Sequence, residues 1–266
     1  MKKVTIILAS LLILGAIFFY SCKKDNKEIV PLSTPKQLSS AKSCSVDPQN
    51  AKNPYDLSGQ LHNQMVENFY KTVNLPIKDG KEVIYSIDEY FKTNNSDFSA
   101  SDYILQPKQL EFSRQFENAT DKYSFLIENG YLSATATNYY AQMDNFLDID
   151  IPTDFYSKMI SLENDIQNSS LTTREQQILL ISASVARYSY YYWFNKTEGK
   201  GAKSYSWGST GKADVKGAIE GGVAGAIIGG TVATPVGAVP AYVAGAVSWG
   251  AACSVSNAIG QLTGWW

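Results

Sequence analysis

TTREQQILLISASVARYSYYYWFN, residues 172–195, is the stretch on which the fold turns. Thr172 and Glu175 stand three apart ahead of an apolar run. That is the spacing of a capping box, in which hydroxyl and carboxylate satisfy the backbone N–H groups that open a helix. Ile178, Leu179, Ile181, Val185 and Ala186 then recur at helical spacing, and the helix continues into an aromatic end from Tyr188 to Phe194.

The same texture extends backwards to Tyr55, interrupted by Asn, Pro, Gly and Ser clusters. Leu57, Leu61, Met65 and Phe69 form one stripe of a first helix that ends before Asn74-Leu75-Pro76. Val83, Ile87 and Phe91, flanked by Ile84 and Tyr90, form a second. Pro107 suits the first turn of a third, running through Leu110, Phe116, Tyr123 and Leu126-Ile127 to a stop at Asn129-Gly130. Two more are expected near Ala134–Leu147 and Thr153–Gln167. Sustained period-two alternation between hairpin turns does not occur here. The expected fold is all-α, a helical bundle of about five or six helices over residues 55–197, followed by a polar loop at 198–212 and a C-terminal glycine-rich apolar helical hairpin at 213–266.

That hairpin rests on spacing. Gly217, Gly221, Gly225 and Gly229 recur every four residues, and Ala218, Gly222, Ala226 and Gly230 repeat the pattern one residue on. On a helix they make a flat strip against which a second helix packs with backbones close together. After Pro235 and Pro240 the small residues resume at Ala241, Gly245, Ala246, Gly250, Ser254 and Ala258. Glycine inside a helix costs about 1 kcal/mol against alanine, so tight packing or lipid has to offset it. Two helices are expected, about Val215–Ala233 and Ala241–Leu262, hinged at Thr234-Pro235-Val236-Gly237. Each is long enough to approach a hydrocarbon core of about 30 Å. Trp207 before the hairpin and Trp265 and Trp266 after it suit a membrane interface. Lys196, Lys200, Lys203, Lys212 and Lys216 are placed to meet anionic headgroups. Glu220 and Trp249, inside the two helices, fit a membrane-spanning hairpin poorly. Membrane insertion and a buried soluble hairpin both remain open at this level.

At the other end, Lys2 and Lys3 precede an uncharged, Ile- and Leu-rich run from Val4 to Tyr20, the pattern of an export signal. Phe19-Tyr20-Ser21-Cys22 resembles a lipobox, followed at once by Lys23-Lys24-Asp25-Asn26. Residues 1–21 are therefore expected to be a lipoprotein signal peptide and Cys22 the lipidated residue, with palmitate-type acylation holding the chain to a membrane. An uncleaved helical anchor is the alternative. Residues 22–54 carry four prolines among Ser, Lys, Gln and Asn, a composition expected of a flexible tether. Loss of the leader deletes two lysines and no acid, taking the formal net charge from −2 to −4 and leaving no basic patch for nucleic acid. Cys44 and Cys253 could pair in an oxidising envelope or remain separate.

Catalytic patterns are sparse. His62 is the single histidine, which excludes HExxH zinc chemistry and multi-histidine metal sites. It could work only with an acid such as Asp56 or Glu67, and the simpler expectation is a helix-start residue bonding locally. Gly208-Ser209-Thr210-Gly211-Lys212 departs from a phosphate loop, because Ser206 stands for its first glycine and Ala213 for its hydroxyl. Asp144, Asp148, Asp150 and Asp154 lack EF-hand spacing and suit a solvated helix junction. Tyr188 and Tyr190–Tyr192 suggest a sugar platform at first sight. Consecutive helical residues point in different directions, which favours packing and interface roles for them.

The small-xxx-small rows resemble the glycine-zipper segments of outer-membrane lipoproteins and the paired helices of two-peptide bacteriocins. Asn53-Pro54-Tyr55-Asp56 with His62-Asn63, the run Ser189 to Trp193, and the glycine-rich tail from Gly217 together resemble a family of secreted Bacteroidota lipoproteins with no established activity. The resemblance implies a cell-envelope, outer-membrane location, periplasmic or surface-facing. The expected function is non-enzymatic, with no cofactor or metal: a membrane-anchored lipoprotein with a helical binding or organising domain. Its partners would be membrane lipid and either another envelope protein or a second copy meeting the glycine strip. The alternative is an antibacterial or pore-forming protein that inserts the hairpin into a target bilayer.

Overall fold

The computed structural model describes residues 46–72, 81–94, 99, 101, 107–197, 207–228, 231–234, 237–240 and 245–253. The fold is an all-α helical bundle. In chain order it comprises α1 (Leu57–Thr72), α2 (Lys81–Thr93), α3 (Pro107–Asn118), α4 (Lys122–Glu128) and α5 (Ala134–Phe146). There follow α6 (Pro152–Gln167), α7 (Thr173–Thr197), α8 (Trp207–Ile228) and a further helix, α9, over 245–253.

α7 opens as its sequence requires. Thr172 Oγ1 accepts from the Glu175 N–H at 3.3 Å while Glu175 Oε2 accepts from the Thr172 N–H at 3.1 Å, the reciprocal pair of a capping box. Every residue from Ile178 to Arg187 is buried, so this helix has no solvent face along that length. α8 lies along it, and the two helices form the middle of the molecule. On one side α1, α2 and α9 pack around Met65, Phe69, Phe91 and Trp249. On the other, α3 to α6 pack around Phe116, Met143, Phe155 and Met159. α7 contributes Ile181, Val185 and Trp193 to the first core and Leu179, Ala183 and Tyr190 to the second.

Close helix crossings occur where side chains are smallest. A Cβ on Gly59 would lie 2.5 Å from both the Ser184 carbonyl oxygen and Tyr188 Cδ2, so only glycine lets α1 approach α7 there. The Gly59 N–H, in the first turn of α1, donates to Ser184 Oγ at 3.0 Å, and Ser184 Oγ donates to the Asp56 carbonyl at 2.8 Å. α8 meets α9 in the same manner. A Cβ on Gly217 would lie 2.9 Å from the Trp249 carbonyl, and one on Gly221 would fall on the Gly245 backbone and 2.7 Å from Trp249 Cβ. A Cβ on Gly222 would lie 3.2 Å from Ile178 of α7, and one on Gly250 3.3 Å from the Asp214 carbonyl oxygen. Gly225 is also buried, while Gly229 lies outside the described residues.

Several expectations are corrected. The third helix is two: Asp121 caps α4 by accepting from the Tyr123 N–H at 2.9 Å, and Lys122 Nζ reaches back to the terminal carbonyls of α3 at Phe116 and Glu117, 2.5 Å each. Leu57 is 59% exposed, and Ser58, His62 and Val66 share the buried face with Leu61, Met65 and Phe69. The segment assigned to a tether already packs from Pro48, and Asn50 and Asn53 are buried. α8 begins at Trp207, so 207–212 is helix where a polar loop was expected. The first hairpin helix stops at Ile228 rather than Ala233. β1 (Thr231–Thr234) and β2 (Gly237–Pro240) then form a two-stranded antiparallel ribbon with Val232 opposite Val239 and Thr234 opposite Gly237. β-branched residues favour the extended form there, and Pro235 and Pro240 cannot donate helical hydrogen bonds. Thr234 and Gly237 of the expected hinge are partners in this ribbon, and Pro235 and Val236 lie outside the described residues.

Alanine in place of Gly59 gains about 1 kcal/mol of helix propensity, but its methyl meets backbone. Gly59→Ala is expected to lose about 1–3 kcal/mol of stability in urea unfolding; an unchanged or raised midpoint would show that α1 is free to shift on α7.

Candidate binding groove and its buried supports

The helical period divides α1 into two faces. Leu61, Met65 and Phe69 enter the core, while Gln60, Asn63, Gln64, Glu67 and Asn68 fall on the opposite side. At the aromatic end of α7, Tyr190 and Trp193 are buried, and Tyr188, Tyr191 and Tyr192 stand at i, i+3 and i+4 on the other face. These two polar faces meet across an open groove of about 610 Å³, with Tyr90 of α2 and Asn94 just past its end at one side and Pro48 at another.

Internal hydrogen bonds hold its walls. Asn63 Nδ2 donates to the Tyr188 carbonyl at 2.8 Å, Tyr192 donates to Glu67 Oε2 at 2.7 Å, and Tyr90 donates to Gln64 Oε1 at 2.6 Å. Lys71 Nζ is 3.7 Å from Glu67 Oε1 and offsets its charge. Burial, reinforced by the Asp56 carboxylate it donates to, pushes the Tyr188 phenol up to about 12. Burial and Glu67 raise Tyr192 further, and burial raises Tyr90. All three phenols therefore remain protonated donors at neutral pH.

Beneath one wall lies a buried ion cluster. Arg187, with no solvent exposure, donates from Nε and Nη2 to Glu163 Oε1 at 3.1 and 3.0 Å, and also to Asp56 Oδ1 and the Pro48 carbonyl. Glu163 accepts further from Asn50 at 2.6 Å and Asn53 at 2.7 Å. Burial raises the Glu163 carboxyl above the usual carboxylate range, and Arg187 and both amides offset only part of that rise. Every one of those partners is a donor, so each bond the group makes is one in which it accepts. Asp56 passes the constraint to the groove by accepting from Tyr188 at 3.1 Å.

A second cluster is sealed between α1, α7 and α8. His62, Ser189 and Asp214 are all wholly buried; Ser189 donates to Asp214, and His62 Nε2 lies 3.7 Å from Asp214 Oδ2. His62 Nδ1 is 3.1 Å from Asn63 Oδ1. Burial pushes the imidazole down to about 4, against the pull of Asn63 and the Gly250 backbone, so it is neutral at pH 7 and its contact with Asp214 is not an ion pair. The three residue types are those of a hydrolytic triad, but the arrangement is not one. The serine bonds the carboxylate rather than the imidazole, and all three side chains are closed off from solvent.

No family model, curated protein or solved structure matches this chain.

The sequence-singled residues are dispersed. Asp56 and Glu67, the acids considered for His62, pair instead with Arg187 and with Tyr192 and Lys71. Asp148 meets Lys212 at 2.9 Å, Asp144 accepts from Tyr123 at 3.2 Å, and the Asp150 carbonyl accepts from Tyr190 at 3.3 Å. Lys216 meets Glu117 at 2.6 Å, so two of the lysines assigned to headgroups reach acids of the same chain. Trp207 begins α8, its side chain lying outside the described residues, as do Cys22, Cys44, Trp265 and Trp266. Arg187, Glu163 and the amides of α1 were not singled out. A lone arginine closing a buried apolar run, and amides at 60, 63, 64 and 68, were their signals.

Replacing Arg187 by leucine leaves two carboxylates facing each other without a counter-ion, and Arg187→Leu is expected to cost about 3–5 kcal/mol in a denaturant titration. A loss below about 1 kcal/mol would show that the carboxylates find other donors.

The His62 shift has a defined sign. The unfolded imidazole titrates at 6.5 and the folded one at about 4, so the unfolded chain binds the extra proton between those values. Its contribution is complete above pH 6.5 and is lost as pH falls through 4, about 3 kcal/mol in all. Stability measured across that window should slope less in His62→Gln; an unchanged slope would mean that other groups cause it.

Proposed function

We propose that this protein is an envelope lipoprotein, anchored by lipid on Cys22, whose helical body is a binding module and not an enzyme. The observation that carries the reading is the groove itself: an open, concave wall of amides and high-pKa phenols, braced from behind by buried ion pairs. Such groups exchange hydrogen bonds with a ligand without moving protons at neutral pH. The one imidazole, which would be the natural general base, is buried behind the wall and held neutral.

α8 and α9 belong to this body in the proposal. Their glycine faces are already in contact with each other and with α7, so a hairpin entering a bilayer would first have to leave the core. No helix among the described residues is long and apolar enough to cross a membrane. Acyl chains on Cys22 are then the attachment, each buried methylene contributing about 0.8 kcal/mol.

Metabolic labelling with an alkyne palmitate, followed by carbonate washing of membranes, tests the anchor. The wild-type chain is expected to carry label and stay with the membrane, and Cys22→Ala to lose the label and be released. Retention of unlabelled Cys22→Ala would overturn this account in favour of a second anchor in the C-terminal region.

A further inference from the structure

We infer that the groove between α1 and the aromatic face of α7 binds a neutral, polyhydroxylated chain, an oligosaccharide. This rests on reading the helical body as a binding module and names the ligand class of its site.

The lining excludes other chemistry. Among the described residues, Pro48 is the only wholly aliphatic side chain lining the groove, and the remaining apolar surface comes from tyrosine rings and the methylene stems of the polar side chains. A peptide or lipid occupant takes most of its affinity from apolar side chains or acyl chains sunk into matching pockets, which this wall does not offer. Among the described residues its two charged groups, Glu67 and Lys71, lie 3.7 Å apart and offset each other, so they do not select a phosphate or a nucleic acid.

What it does offer is hydrogen-bonding capacity of both signs next to flat rings. Gln60 is exposed and presents both an N–H₂ and a carbonyl. Gln64, one turn on, has its carbonyl engaged by Tyr90 at 2.6 Å, and its N–H₂ adds donor capacity to the groove. Asn68 and Asn94 have the reverse arrangement. Their N–H₂ groups donate to the Ser86 carbonyl at 3.3 Å and the Tyr90 carbonyl at 2.7 Å, leaving their carbonyl oxygens as acceptors. A sugar hydroxyl both donates and accepts, and neighbouring hydroxyls on one ring match donors and acceptors set side by side. Tyr191, 36% exposed, supplies a ring face whose negative quadrupole attracts the slightly positive C–H face of a pyranose. The volume of about 610 Å³ falls within the usual range for small-ligand sites, roughly 300–1,000 Å³. The groove is open to solvent, as a site for the interior of a chain needs to be. The donors and acceptors are preorganised by bonds within the wall, which lowers the entropy lost on binding.

The test uses the full mature protein extracted in a zwitterionic detergent, since a glycoside detergent would itself present sugar. It is applied to an array of neutral oligosaccharides built from glucose, mannose, xylose and N-acetylglucosamine, with a peptide array alongside. At least one neutral oligosaccharide is expected to bind, at least tenfold more weakly to Tyr191→Ala and to Gln60→Ala, both surface positions whose loss leaves the core untouched. Gln115→Ala, on α3 and away from the groove, is expected to bind like wild type. Glycan binding that ignores both groove substitutions would overturn the assignment to this site. Binding of peptides alone, weakened by Tyr191→Ala, would overturn the ligand class while leaving the binding module standing. No binding on either array would overturn both.

Discussion

A guanidinium without water is the constraint on which much of this structure depends. Removing an arginine from solvent costs several kcal/mol, which is recovered only if nearly all its N–H groups find acceptors in good geometry. Arg187 ends the stretch of α7 that is buried on all sides, and its acceptors come from three separate places: Glu163 on α6, Asp56 before α1, and the Pro48 carbonyl. Satisfying it therefore fixes α6 against α7 and fastens the segment from Pro48 to Asp56 over both. Asn50 and Asn53 complete the arrangement by donating to the oxygens of Glu163, which would otherwise be an under-solvated carboxylate.

The same logic of close approach governs the other side of the central pair. α8 carries Asp214 and Glu220 into the core, which a purely apolar packing helix would not do, and both are wholly buried. Glycines on that helix let α9 and α7 come near enough for backbone and side chains to surround such groups. Trp249, awkward at the middle of a membrane helix, is the largest fully buried side chain among the described residues, packed where Gly221 has no side chain. Small residues and large polar burden go together here because only a narrow gap excludes water from both.

The groove is a by-product of these two supports. Asp56 holds Tyr188 while it holds Arg187, and Asn63 bonds the Tyr188 carbonyl on one side and His62 on the other. The polar surface of α1 and the tyrosine face of α7 are thus positioned by groups that a ligand never touches. Rigid support of this kind is what gives amides and phenols a defined direction, where the same side chains on a loose surface helix would sample many.

What the sequence determined by itself was local. The capping box of α7, the stop at Asn129-Gly130, where Gly130 has φ of +66°, and the glycine rows of α8 all follow from neighbours a few residues apart. Helical period also said that the consecutive tyrosines near the end of α7 point in different directions, but not that Tyr190 and Trp193 are buried while Tyr188, Tyr191 and Tyr192 face a groove. The split at Asp121 and the ribbon after Ile228 were missed because a capping aspartate and a short β-branched pair look the same inside a longer periodic stretch. Partners were beyond reach altogether. Arg187 meets Asp56 across 131 residues, and His62 is beside Asp214 rather than Asp56 or Glu67. A period of 3.6 residues says which side chains share a face. Only the packing of one helix on another decides which faces meet, and with them which charges are neutralised in the core and which amides are left to face a ligand.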